Sequence, residues 1–109
     1  MREMDYMNHV ALYNDKLEWQ ISENGYVNLT IENKGIYNKI AQRLFRKPRY
    51  TNIELDCYGS RLWLYIDGKS TVYDIFMQMT YAFPDEKNMY ERVNRFVAIL
   101  QKNSFIKIA

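Results

Sequence analysis

Residues 64–75 read LYIDGKSTVYDI, and two folds hang on them. Gly68-Lys69-Ser70-Thr71 could close a phosphate-binding loop, or it could be a turn between two helices. A phosphate loop needs a glycine five places before Gly68, after a strand, so that successive backbone N–H groups can wrap the phosphates. That place holds Trp63, and Leu62, Trp63 and Ile66 are spaced to cover one helix face rather than to alternate. The stretch therefore reads as a helix end joined to a helix start. Asp67-Gly68 closes the first helix, with glycine taking the left-handed conformation, and Ser70 is placed to cap the second.

Working outward, the first of these helices begins after Asp56, an expected N-cap, and turns Leu62, Trp63 and Ile66 inward. The second buries Val72, Ile75, Phe76 and Met79 at helical spacing and ends before Pro84. A third is expected from about Glu86 to Lys102, with an apolar stripe of Met89, Val93, Phe96, Val97 and Leu100. Ile99 widens that stripe on one side, next to Arg92 and Arg95. Phe105, Ile106 and Ile108 then form a short closing strand or packed tail.

Upstream the period changes to two. Leu17, Trp19 and Ile21 alternate with polar neighbours, Glu23-Asn24-Gly25 makes a turn, and Val27, Leu29 and Ile31 alternate again, which predicts a β-hairpin. Ile36, Ile40 and Leu44 return to helical spacing, with Lys39, Arg43 and Arg46 on the other faces and Lys47 and Arg49 continuing the charge; Pro48 ends the run. Thr51–Leu55 is again strand-like. Residues 1–15 show no clear period and are expected to form an N-terminal arm, held at Val10, Leu12 and Tyr13. The expectation for residues 16–109 is a single α+β domain of winged helix-turn-helix-like form. It has a small antiparallel sheet on a three-helix bundle and an extra basic helix before the last sheet strand.

With 109 residues, 48% of them hydrophobic, the chain is long enough for one small domain and too short for two. Fifteen Lys and Arg face thirteen Asp and Glu, too even a balance for the field that non-specific nucleic-acid binding requires. A single cysteine, no signal-peptide pattern and no apolar run of membrane length make a reducing cytoplasm the expected compartment. The sequon Asn28-Leu29-Thr30 is then without consequence.

Catalytic constellations are missing. His9, the one histidine, lies in the unpatterned arm, and one Cys with one His cannot supply the usual four zinc ligands. Cys57 reads as a buried, inert thiol at a helix start. Asp56, Asp67 and Asp74 each have a local task in capping or helix-end polarity. No catalytic, metal-binding or cofactor-binding residue is expected, and the chain is not expected to be an enzyme. As a DNA reader the second helix is poor, since its outward positions carry Tyr73, Asp74, Met77, Gln78 and Tyr81 and no base.

The stretch from Ile53 to Ile106 resembles the PqqD-like proteins, or RiPP recognition elements. The matching residues are Leu55 and Asp56, Trp63, Ile66, Asp67 and Gly68, Thr71 and Val72, Ile75, and the close from Leu100 to Ile106. Roughly half the chain is covered. Residues 34–50 depart from the pattern, because family members usually reach the first helix through three closely connected strands. The resemblance implies a binding protein that captures the leader of a ribosomally made precursor peptide. It would present that leader to a modifying enzyme, such as a radical S-adenosylmethionine enzyme. A disordered leader can add a strand to an open sheet edge while its side chains enter a groove beside the third helix. The edge expected here is Thr51, Asn52, Ile53, Glu54 and Leu55. Phe96 and Ile99 would floor the groove, with Arg92 and Arg95 pairing acidic leader residues; Phe96 also reads as core, and the two arginines as solvated. Two rival readings stand beside this one. One is a winged-helix transcription factor that binds DNA through Lys39–Arg49, and the other is a module that pairs by its sheet edge into a homodimer.

Overall fold

A three-residue strand, β1 (Ala11–Tyr13), precedes the hairpin formed by β2 (Glu18–Ile21) and β3 (Val27–Glu32). After β4 (Tyr50–Glu54) come three helices, α1 (Cys57–Tyr65), α2 (Val72–Ala82) and α3 (Met89–Lys102), and then β5 (Ile106–Ile108). The structure, a computed structural model, describes residues 5–32 and 50–109. The basic helix expected before β4 lies outside them. Among the described residues the fold is α+β, with three helices and two small antiparallel sheets, ordered β2-β3-β4 and β1-β5. None of the described helices is long and apolar enough to cross a membrane.

Asn24-Gly25 reverses the chain as its residue types require. Gly25 adopts a φ of +86° and donates its N–H to Ser22 O, and Ser22 N–H bonds Tyr26 O across the turn. β3 is the central strand, and Val27 and Leu29 on its inner face are fully buried under the helices. The alternation in β2 fails at its last residue, since Ile21 is 55% exposed. It sits at the hairpin tip, where β2 pairs with Val27 and no helix covers it.

In the turn that opened the question, α1 ends at Tyr65 and Ile66, in extended backbone, is its C-cap, donating its N–H to Trp63 O, so Asp67-Gly68 shapes the turn beyond the helix instead of capping it. Gly68 takes a φ of +76°, and the Asp67 carboxylate accepts bonds from the Lys69 and Ser70 N–H groups and from the Ser70 hydroxyl. These donors hold the Asp67 carboxyl below the usual carboxylate range, led by the Ser70 amide. The amides that a phosphate would need are thus already committed. The second cap also differs from expectation: Thr71, not Ser70, caps α2. Its side chain accepts from Asp74 N–H at 3.2 Å, and the Asp74 carboxylate accepts from Thr71 N–H at 3.0 Å, a reciprocal capping box. Ser70 stands one residue before the N-cap position, and its hydroxyl donates to the Asp67 carboxylate. Thr71→Ala is expected to cost about 1 kcal/mol in a urea titration, and Ser70→Ala clearly less.

Within the expected arm, residues 6–13 pack against the helices and the last strand. Tyr6, Met7 and Ala11 are buried, and β1 pairs with β5 from Ala11↔Ile108 to Tyr13↔Ile106. The physical reason is polar satisfaction. His9 O and Met7 O accept the Val72 and Tyr73 N–H groups, two of the orphan donors of α2's first turn. Asn94, buried in α3, accepts the Tyr6 N–H at 2.9 Å. Val10 and Ala109 exchange two further backbone bonds.

Tyr13 links this segment to the core. Its ring lies 4.8 Å from Trp63 and 5.4 Å from Trp19, and its hydroxyl donates to Trp63 O. Burial, helped by the Asp67 charge, pushes the Tyr13 hydroxyl up to about 12. An unfolded tyrosine ionises near 10. The folded state therefore holds this proton more tightly, so the group's contribution is intact below about pH 10 and is lost as pH rises towards 12. Tyr13→Phe is expected to flatten the fall of the melting temperature between pH 9 and about 11, and an unchanged slope would assign alkaline unfolding to another group.

Candidate functional site

The corner between β4 and α1 is set by three side chains. Asp56 caps α1, its Oδ1 accepting the Gly59 N–H at 2.7 Å. Ser60, buried one residue later, donates its hydroxyl to Leu55 O at 3.1 Å and accepts the Val27 N–H at 2.8 Å, tying the helix to both strands. A side chain at Gly59 would need the Phe96 ring to move aside. A Cβ there would stand 2.7 Å from Phe96 Cζ and 3.2 Å from Asp56 Oδ1.

Beside this corner a shallow pocket of about 290 Å³ lies between the start of α1 and the middle of α3, lined by Asp56, Tyr58, Arg92, Arg95, Phe96 and Ile99. Phe96 is half-buried and meets the Tyr58 ring edge-on at 5.9 Å, and Tyr58 in turn packs on Phe83 at 5.8 Å. The Arg92 guanidinium lies 4.8 Å over the Tyr58 ring and 3.1 Å from Glu86. Burial raises the Tyr58 hydroxyl above its ordinary range, partly offset by Arg92. Arg92 is thus engaged as a wall of the pocket, whereas Arg95 has no ion-pair partner among the described residues. Ile99 is 49% exposed, while Val93 and Val97 on the inner face of α3 are fully buried. All four α3 residues singled out in the sequence come together here.

The five strand residues lie where the pocket begins. β4 covers Tyr50–Glu54 and ends the three-strand order, and Asp56, two residues further on, lines the pocket. Leu55 N–H still bonds Val27 O. By the alternation of a strand, Ile53 turns its main-chain groups towards β3, and Asn52 and Glu54 turn theirs away. Among the described residues only β3 pairs with β4. Thr51 is exposed and Ile53 and Leu55 are half-buried. Asn52 accepts a bond from the Thr30 hydroxyl at 3.1 Å, and Glu54 accepts one from Asn24 at 3.3 Å. This end of the molecule therefore offers main-chain hydrogen bonding next to an aromatic floor with one unengaged cation.

Tyr58, Gly59 and Ser60 were not singled out from the sequence. Gly59 did carry a signal, because a glycine inside a helix costs about 1 kcal/mol and its presence asks for a close neighbour. Gly59→Ala is expected to leave stability within about 1 kcal/mol, helix propensity offsetting the displacement of a movable ring. It should shift the Phe96 and Tyr58 ring-proton resonances as Phe96 is pushed into the pocket. Unmoved resonances would show that the ring does not rest on Gly59.

Other sequence candidates are accounted for differently. Cys57 is exposed rather than buried. It is the first residue of α1, and the buried face of that helix is made by Gly59, Ser60, Leu62 and Trp63. His9 lies within 3.2 Å of Ala109 O through Nδ1. Asp56 and Asp74 are each tied to a helix cap and Asp67 to the turn between α1 and α2, and no cluster of three or more His, Cys, Asp or Glu that could hold a metal occurs among the described residues. No protein-family model matches the chain, and no curated protein or solved structure shows significant similarity to it.

Proposed function

We propose that this chain is a peptide-binding domain of PqqD-like, winged helix-turn-helix-like type. It captures the leader of a ribosomally made precursor by strand addition and delivers it to a modifying enzyme in the cytoplasm. The enzyme supplies the chemistry and any cofactor, and this chain supplies the specificity. The observation that carries the reading is the placement of Tyr58, Arg95, Phe96 and Ile99 in one pocket that starts two residues past the end of β4. A leader paired along Asn52–Glu54 would gain main-chain hydrogen bonds, and a side chain at its end would reach the aromatic floor. An acidic leader residue would meet Arg95, since Arg92 is already held by Glu86 and Tyr58. Reading of DNA by α2 itself is disfavoured, since its outward face carries Asp74 and no basic residue.

The test is a titration of the purified chain with the short precursor-like peptides encoded beside its gene, followed by backbone amide NMR. Saturable shifts along residues 52–55 and 89–100 are the expected result. Absence of shifts with every candidate peptide, together with salt-sensitive shifts on adding duplex DNA, would replace the peptide reading with the nucleic-acid one.

A further inference from the structure

The hairpin turn carries chemistry that neither its shape nor peptide capture uses. Asn24-Gly25 is the one asparagine–glycine pair in the sequence. Glycine has no Cβ, so its backbone nitrogen can reach the side-chain carbon of a preceding asparagine and close a five-membered ring. Both residues are exposed, and among the described residues nothing beyond its chain neighbours stands within 4 Å of the place a Gly25 Cβ would take. The amide is also flanked by groups that favour its loss. Asn24 Oδ1 accepts the Tyr26 N–H at 3.0 Å, a donor placed where negative charge develops when the carbonyl is attacked. Asn24 Nδ2, the leaving nitrogen, donates to Glu54 Oε1 at 3.3 Å, and a carboxylate there favours the positive charge that this nitrogen gathers on departure. The Gly25 N–H is donated to Ser22 O at 2.9 Å and must first be freed. Because Gly25 is exposed, water takes over that bond.

We propose that Asn24 is a self-modification site of the folded chain: its side chain deamidates through a cyclic imide formed with Gly25, and the new carboxylate, set against Glu54, loosens the end of β4. In the first step Gly25 N gives its proton to water or hydroxide and attacks Asn24 Cγ. The N–Cγ bond forms, the Cγ–Nδ2 bond breaks, and Nδ2 takes up a proton and leaves as ammonia. Water then adds to one of the two imide carbonyls and cleaves its bond to the ring nitrogen. Cleavage at Cγ gives aspartate. Cleavage at the Asn24 main-chain carbonyl gives isoaspartate, in which the backbone runs through Cγ. Nothing is oxidised or reduced, and the net exchange is one water for one ammonia.

Either product removes the Nδ2 donor that joins the turn to Glu54. Two carboxylates then meet where an amide met a carboxylate, and like charges facing each other across strands repel. Isoaspartate also lengthens the main chain by one carbon, inside a turn whose closing bonds, Gly25 N–H to Ser22 O and Ser22 N–H to Tyr26 O, are fitted to its present length. Glu54 is the last residue of β4 and the register partner of Asn28, so the disturbance enters the sheet at the end nearest the α1 corner. This chemistry needs no ligand and is independent of what binds along β4.

The test incubates the full chain at physiological temperature and neutral pH. The tryptic peptide of residues 17–34 is followed by mass spectrometry, and its isomers are separated by chromatography. A gain of about 1 Da at Asn24 is expected, with aspartate and isoaspartate both formed. Its rate should be no lower than in a synthetic peptide of residues 20–30. The Asn24→Gln chain, whose longer side chain cannot close the five-membered ring, should show no gain at that position over the same time. As product accumulates, the amide resonances of residues 22–28 and 52–55 should move. Asn24→Asp should move the same set, and the movement at residues 52–55 should be much smaller when it is made in a Glu54→Gln chain. An Asn24 that reacts more slowly in the folded chain than in the peptide would show that the turn's hydrogen bonds hold the pair out of reaction, and would overturn the proposal. Modification that leaves residues 52–55 unmoved would overturn its effect on β4.

Discussion

Val93→Glu should leave the chain without a cooperative thermal transition, whereas Ile99→Glu should melt like the unmodified protein and lose peptide binding by about a hundredfold. The two positions lie on one helix and receive the same side chain. Val93 is fully buried against the core, so a carboxylate there is either desolvated without a partner or protonated at neutral pH, and the apolar contact is lost as well. Together these cost several kcal/mol, comparable with the whole stability of a small domain, about 5–15 kcal/mol. Ile99 is half-exposed at the rim of the pocket, so Glu there stays hydrated in the free protein. In the complex it would replace an apolar contact worth about 1.5–3 kcal/mol and would repel an acidic leader residue drawn to Arg95. Circular dichroism and a binding titration on both variants decide the matter. Unfolding by both would make Ile99 core, and a folded Ile99→Glu that binds as before would remove the pocket from the peptide site.

Trp63→Ala should cost about 3–5 kcal/mol in chemical denaturation, while Trp63→Phe should cost much less. Trp63 is fully buried and serves two ring partners, Tyr13 at 4.8 Å and Trp19 at 5.9 Å, so truncation leaves a cavity where three elements meet. Phenylalanine keeps a ring in that space. It also removes an indole N–H that is buried without a hydrogen-bond partner among the described residues, so no polar contact with them is lost in the exchange. Equal losses in the two variants would mean that the indole N–H is satisfied by a bound water and that its removal has a cost.

The three helices and the hairpin were legible because their signals are local. Asp56, Gly68 and Asn24-Gly25 fix ends and turns through their own backbone preferences, and the stripes of α1, α2 and α3 repeat over enough residues to show their period. β1 was not legible: three residues cannot display an alternation, and its partner is at the other end of the chain. Burial of Asn94 was hidden for a similar reason, because the N–H that makes an interior asparagine acceptable belongs to Tyr6. The choice of Thr71 over Ser70 as cap depended on the helix starting at Val72, one residue later than the sequence pattern suggests. In the candidate site, helical spacing set Ile99 beside Arg92 and Arg95, and the grouping of these with Phe96 as a groove came from the resemblance to PqqD-like proteins. Tyr58 and Ser60 belong to a corner whose geometry needs β3, β4 and α1 at once, which no single stretch contains.

The pairing of β1 with β5 also sets an order of events during synthesis. Ala11, Leu12 and Tyr13 emerge from the ribosome early, yet the strand they pair with is Ile106–Ile108. Until those residues are released, Tyr6 and Met7 have no complete site to enter, because α3 must form before Asn94 can receive the Tyr6 amide. The hairpin and the first two helices can assemble on the nascent chain from near neighbours, but closure of the domain must follow release of its last strand.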